Sequence, residues 1–334
     1  MTFSIDFHAE EKKNIRKSIL LISVFFIMMA TFGLIIDFVF GMLPIFTSTF
    51  ILVACVHVIV SVVAGRKMVL SSVKARDANP NDAEEKQLIN IVEELSLAAG
   101  MSSPPPVYVV DDDDTINAFA TGFKKEDGII CVTSGLLKKL DREETSGVIG
   151  HELSHIINRD ILIMTLISAL LGAVIMIQIV ALRGLKYSFI FGGGRRRRSK
   201  NDSGAYILIL LATIVALATL FSFLGRLSLL AVSRTREYFA DARSVELTRN
   251  PHGLSSALRK IAGTSKKMKT ASVATAHLFI SDPLKRKINN KESFFASLFS
   301  THPPIARRIS VLENRPVEQI RKELYNNRDQ RLEI

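Results

Sequence analysis

A chain of 334 residues has room for one or two domains, but 48% of its residues are hydrophobic, mean hydropathy is positive, and the apolar residues are gathered into long runs, a pattern that excludes an ordinary soluble domain. The net charge of +11 does not point to nucleic acid, because the basic residues cluster beside those runs: Lys12, Lys13, Arg16 and Lys17, then Arg66, Lys67, Lys74 and Arg76, then Arg234 and Arg236. Anionic lipid is the expected partner, with the clusters on the cytoplasmic side.

Four uncharged runs, at 18–36, 42–65, 161–182 and 205–225, approach the roughly twenty residues a bilayer requires and predict two membrane hairpins. The first follows a basic "KKNIRK", but it is too long for a cleaved leader and a second run comes within a few residues, so a retained hairpin is expected. Polar His57 and Asp37, in or at the edge of this hairpin, suit hydrogen bonding between helices. With two cysteines in the chain, Cys55 in a span and Cys131 in a strand-like run, a disulfide framework is not expected and a reducing compartment is.

Beyond the hairpin, "NPNDAEEKQLINIVEELSLAAG" sets Leu88, Ile91, Val92 and Leu95 at helical spacing, with Asn81 or Asp82 as cap and Gly100 closing the helix. "PPPVYVVDDDD", "INAFATG" and "GIICVTS" predict a small sheet, and the acidic run 111–114 lacks calcium-loop spacing and reads as solvated. Asp141 and Glu144 form a capping box that starts a helix near Arg142 and carries it toward Asp160, where the third run begins. The linker "GGGRRRRSKNDSG" joins runs three and four. Its four arginines, 195–198, lie on the side expected to be less basic, so a shallow second hairpin is an alternative to a spanning one. The last third returns to polar helical patterns, "NPHGLSSALRKIA" and "PPIARRISVLENR".

The chain thus divides into residues 1–76, with the first hairpin; 77–160, a first polar part; 161–232, the second hairpin; and 233–334, a second polar part. Two crossings return the chain to its starting side, so the polar parts share one compartment and can form one domain. There is no G-x-x-x-x-G-K-[ST], hence no sign of an ATPase.

In "VIGHELSHIINRD", His151 and His155 lie four residues apart, so one helix face can offer two imidazole nitrogens to one ion. Glu152, beside the first, can reach a water on that ion without ligating it. A longer pattern with a third histidine is absent, since Asn158 and Ile161 stand where its glycine and histidine would be. A third ligand must come from elsewhere. His8, His252 and His277 match no motif.

Downstream, "SRTREYFADARS" sets Glu237 and Asp241 four apart on an expected helix. HELSH, then R-E-Y-x-A-D after a membrane hairpin, then "STHPPIARRI", resembles the membrane-embedded gluzincins of the HtpX type, and more distantly the CAAX prenyl endopeptidases, over residues 82–314. The resemblance implies an α+β membrane protein: a zincin-like catalytic domain, mostly helical with a small β-sheet, assembled around two transmembrane hairpins. It implies one zinc ion per chain, Glu237 as third ligand, and Asp241 as a carboxylate orienting a liganding histidine. Zinc would lower the pKa of its bound water and polarise the scissile carbonyl, while Glu152 takes the water's proton and delivers it to the leaving amine. His302 is the candidate oxyanion donor, and Asn117, Ala118 and Phe119 belong to a strand edge that pairs with an extended polypeptide.

Each role has an alternative. Glu237 alone reads as a salt-bridge partner of Arg234 or Arg236, a reading that the histidine pair and the spacing to Asp241 outweigh, while His302 reads equally as a residue starting the next helix and "INAFATG" as a plain sheet strand. A length argument bears on Glu237: His155 lies six residues before the third run, about 9 Å along a helix, and Glu237 twelve residues after Gly225, about 18 Å, so the fourth helix should continue in the membrane past Gly225.

The function so implied is a zinc endopeptidase of the cytoplasmic membrane, its catalytic domain facing the cytoplasm, acting on damaged or misfolded membrane proteins. Prenyl-protein processing is a second enzymatic reading. A membrane scaffold or transporter subunit with structural metal is a third, against which Glu152 stands, since a structural site has no use for it. The oligomeric state is open.

Overall fold

The computed structural model describes residues 7–41, 43–192, 203–230, 234–264, 266–271, 275–281, 283 and 303–329. His302 and the arginines 195–198 lie outside the described residues. The chain is α+β, mostly helical with one small mixed sheet.

The four apolar runs are covered by helices α1 (Phe7–Phe40), α2 (Ile45–Val73), α6 (Asp160–Gly192) and α7 (Ser203–Leu230). α1 packs on α2 and α6, and α6 on α7, around Phe25, Met29, Phe32, Ile36, Ala54, Val174, Ala218 and Phe221. Asp37 holds the first pair together: its carboxylate accepts the Phe46 and Thr47 N–H groups at 3.0 and 2.9 Å and the Thr47 hydroxyl at 2.7 Å. These are donors that the first turn of α2 cannot satisfy internally. Outward faces stay apolar, with Leu20 64%, Leu52 63% and Val63 80% exposed. Among the described residues no single helix is long and apolar enough to cross a membrane; the two halves of α2, Ile45–Val60 and Val62–Val73, bent by 71°, are so together.

The polar parts fold against one end of this bundle. Asp82 caps α3 (Ala83–Ala98) by accepting from Glu84 and Glu85 N–H, and α3 buries Leu88, Ile91, Val92 and Leu95. Strands β1 (Arg76–Asp77), β2 (Val107–Val110), β3 (Ala118–Thr121) and β4 (Ile129–Thr133) form a sheet in the order β1-β2-β4-β3, with β2 parallel and β3 antiparallel to β4. β3 therefore lies at an edge. The acidic run 111–114 is tied at the surface by Arg76, Lys138 and Lys266. α4 (Ser134–Lys139) leads to α5 (Arg142–Ile157), which starts with the full capping box of Asp141 and Glu144.

After the bundle helices come α8 (Arg234–Thr248), α9 (Pro251–Gly263), the short 3₁₀ turn Ala276–Leu278, α10 (Ile305–Glu313) and α11 (Val317–Asp329). One core joins α3, α5, α9, α10 and the sheet through Leu88, Ile130, Val148, Leu153, Leu254 and Ile309. A second sets Val69, Leu70 and Val73 of α2 against Phe119, Ile129, Cys131, Met164 and Phe279. The sheet is thereby fixed to the bundle.

α5 and α9 touch at backbone distance through two glycines. A Cβ at Gly147 would lie 2.5 Å from Leu254 N, and one at Gly253 2.5 Å from the Glu143 carbonyl. Gly147→Ala is therefore expected to cost about 1–3 kcal/mol by forcing the helices apart. A lowered midpoint of thermal unfolding is the readout; an unchanged one would mean that the crossing has slack.

Candidate metal centre

α5 carries His151, Glu152 and His155, and α8 carries Glu237 and Asp241. Their crossing is lined by small residues. A Cβ at Gly150 would meet Ser244 Oγ at 2.9 Å, Ser154 Oγ donates to the Gly150 carbonyl at 2.7 Å, and Ser244 Oγ donates to the Gly147 carbonyl at 2.6 Å. With no bulky side chain between the helices, the first turn of α8 comes close enough for Glu237 to reach the histidine pair.

His155 Nε2 stands 3.3 Å from His151 Nε2, and the two Glu237 oxygens lie 3.7 Å from one and the other. One ligand atom from each of His151, His155 and Glu237 lies within 4.8 Å of the others, a spread that a bound ion would draw in toward the about 3.4 Å between corners of a tetrahedral site. The pocket in front of them is lined by Ala120, Glu152, Leu278 and Ile280. His151, Glu152, Glu237 and Asp241 are buried, and His155 is slightly exposed.

Each imidazole has a carboxylate behind it. His151 Nδ1 lies 2.9 Å from Asp241 Oδ1, and His155 Nδ1 lies 3.1 Å from Asp160 Oδ2. Both rings thus turn Nε2 toward the shared point. Burial, helped by the Arg308 charge, pushes His151 down to about 4 against the pull of Asp241. Burial also works against protonation of His155, but its bond to Asp160 and the charges of Glu237, Asp160 and Glu152 outweigh it and raise the ring to about 9. A divalent ion held by His151, His155 and Glu237 would need both imidazoles neutral at Nε2.

Two buried arginines complete the set. Arg308 of α10 is fully buried and gives Asp241 two bonds, Nε to Oδ2 at 2.9 Å and Nη2 to Oδ1 at 2.6 Å. Arg236 Nη1 donates to Asp160 Oδ1 at 3.2 Å, so this arginine is paired with Asp160 and not with its neighbour Glu237. Ionised, the buried carboxylates Glu152, Asp160, Glu237 and Asp241 exceed the two guanidiniums by two charges, the deficit that a divalent cation cancels.

A histidine pair on one helix, a carboxylate from a second and a glutamate beside the pair define a metallopeptidase. The family follows from comparison: the model of peptidase family M48 matches residues 82–316, and the chain belongs to that family. It is 45% identical over 252 residues to a protease HtpX homolog of Thermoanaerobacter pseudethanolicus, covering 74% of this chain and 77% of the relative. It is 38% identical over 314 residues to one of Listeria monocytogenes, covering 90% and 97%. No solved structure matches.

Sequence reasoning missed Asp160, Arg236 and Arg308. Asp160 closes the same stretch that holds the histidines, five residues after His155, where a helix break lets a carboxylate fold back on the ring. Replacing Asp160 by Asn is expected to weaken metal affinity by about 10–100-fold, because the amide, though its oxygen can still accept from Nδ1, lacks the negative charge that makes the His155 ring a stronger ligand. Titration against a chelating metal buffer reads the change. Wild-type affinity in the variant would reduce Asp160 to a partner of Arg236 alone.

Proposed function

We propose that the chain is a zinc endopeptidase embedded in the cytoplasmic membrane, which hydrolyses peptide bonds of damaged or misfolded membrane proteins. His151, His155 and Glu237 hold the ion, Asp241 orients His151, and Glu152 is the general base. The observation that supports this best is the convergence of the three ligand atoms within 4.8 Å of one another, beside Glu152 in a pocket bordered by β3. Zinc is favoured by the donor set, two imidazoles and one carboxylate with a position left open. When bound, it supplies Lewis acidity toward water and the scissile carbonyl.

Glu152 takes a proton from the attacking water and returns it to the departing amine nitrogen. Burial keeps bulk water from competing with it. Asp241 fixes the His151 tautomer so that Nε2 carries the lone pair, and Asp160 does the same for His155. Asn117, Ala118 and Phe119, at the β3 edge, pair with the main chain of an extended substrate, a mode that demands little of substrate sequence. His302 is the proposed oxyanion donor.

Membrane embedding draws on the apolar side chains exposed along the bundle helices, among them Leu20, Leu52, Val63, Val180 and Phe223, and on the basic residues Arg66, Lys67 and Lys74 at the end of α2 beside the catalytic part. The membrane then presents substrates sideways to the cleft.

Metal analysis of the purified protein tests the ligand set. About one zinc per chain is expected in the wild type, with loss of tight binding in Glu237→Ala and chelator-sensitive cleavage of an unfolded membrane protein. Undiminished zinc affinity in Glu237→Ala would remove that carboxylate from the site.

A further inference from the structure

The β3 edge turned away from β4 is already paired. Phe119 and Phe279 form an antiparallel bridge, and Ile280 N–H donates to the Ala118 carbonyl at 2.9 Å. Asn117 Nδ2 donates to the Ser281 carbonyl at 3.0 Å, and Ser281 N–H donates to Asn117 Oδ1 at 3.3 Å. From the other side Arg308 Nη1 donates to the Ile280 carbonyl at 3.4 Å, the same guanidinium that holds Asp241. Side chains alternate along this stretch. Phe279 turns to Phe119, ring centroids 4.8 Å apart, while Leu278 and Ile280 line the pocket with His151, Glu152 and His155.

Backbone matched to a strand edge on one side, with alternate side chains aimed at the metal ligands, is the form a peptide takes when it adds to a sheet. We propose that residues 278–281 are an intramolecular substrate mimic, which occupies the peptide-binding edge of β3 and must be displaced by an extended polypeptide before Glu152 can act. The inference rests on the peptidase reading of the site and deepens it in two ways. It makes the chain as folded here a latent form. It also names the substrate class: extended segments with large aliphatic side chains where Leu278 and Ile280 lie, and an aromatic one between them that restores the contact with Phe119.

Displacement is an exchange of like for like. An incoming strand remakes the bonds to Ala118, Asn117 and Arg308 that the internal segment gives up, so the mimic acts as a tax on apparent affinity and not as a permanent block. Loosening it should raise activity.

The test uses full-length, zinc-loaded Glu152→Gln protein in detergent micelles and a fluorescein-labelled peptide copying the sequence "AHLFISDP" of residues 276–283. On binding, read by fluorescence polarisation, the Ile280 amide should lose hydrogen-exchange protection by at least about tenfold, while Ile130 and Val132 in β4 keep theirs. Peptide bound with Ile280 still protected would overturn the proposal, since the segment would then be a fixed strand. So would failure of the peptide to bind while wild-type protein cleaves polypeptides in a zinc-dependent manner. If neither the wild type nor the loosened Ile280→Pro variant cleaves, it is the peptidase reading that fails. Independently, Ile280→Pro deletes the N–H bonded to Ala118 and should raise kcat/KM on a Leu-Phe-Ile peptide about fivefold. An unchanged or lower value at unchanged thermal stability would also overturn it.

Discussion

Replacing Glu152 by Gln is expected to lower kcat for peptide hydrolysis by about 10²–10⁴-fold while leaving the metal in place. The two side chains have nearly the same volume, so a residue 1% exposed can be exchanged without opening a cavity or forcing the α5 backbone. What changes is the proton chemistry: the amide can hydrogen-bond to a water but cannot take its proton. The negative charge of Glu152 is also the least of the influences that raise His155, and the His151, His155 and Glu237 ligand atoms are untouched by the change. Turnover and metal content must be measured on one preparation. A Glu152→Gln protein that kept full zinc and cleaved at the parent rate would end the general-base assignment, whereas a loss of both would mean only that the site had come apart.

How much of this was legible depended on how local each feature is. The capping box of Asp141 and Glu144, the helix it starts, and the i, i+4 histidines on it are decided within a few residues, and each is found where the spacing puts it. Glu237 needed resemblance, because its approach to the histidines depends on Gly150, Ser154, Ala240 and Ser244 closing a crossing whose contact between Ser154 and Ala240 spans 86 residues of chain. The occupant of the β3 edge could not be read at all. "LFISD" has no strand signature of its own, and its pairing with Asn117 and Ala118 is a tertiary event.

Arg308 is a different case, since a signal was present. Ile305, Arg308, Ile309 and Leu312 fall at i, i+3, i+4 and i+7, so one of two adjacent arginines lies on the apolar stripe of α10 and the other, Arg307, on its exposed side. A guanidinium at such a position is costly unless a carboxylate meets it, and it therefore asks for a buried acid elsewhere in the chain. Asp241, placed by resemblance, is that acid.

From that pairing comes the largest effect expected on stability. Arg308→Met should destabilise the fold by about 3–5 kcal/mol near neutral pH, because it removes one partner of a fully desolvated ion pair and leaves the Asp241 carboxylate buried against His151 with no cation. Burial by itself raises the Asp241 carboxyl; the Arg308 charge and the bonds from His151 and Arg308 overcome it and hold the group below its ordinary 3.8. A depressed folded-state value contributes stability that is present above the unfolded pKa and is lost as pH falls through the folded one. In the Arg308→Met variant the sign reverses: desolvation is left largely unopposed, the folded carboxyl moves up, and the deficit relative to wild type should shrink on acidification as Asp241 takes a proton. Asp241→Asn added to Arg308→Met should recover part of the loss at neutral pH, since a neutral amide needs no counter-charge and can still accept the His151 Nδ1 proton. Denaturant unfolding of the four proteins of this cycle, at neutral and acidic pH, separates the pair from its surroundings. Additive losses with no pH dependence would show that Arg308 stabilises α10 by its volume alone, and the electrostatic link between α10 and the metal ligands would have to be given up.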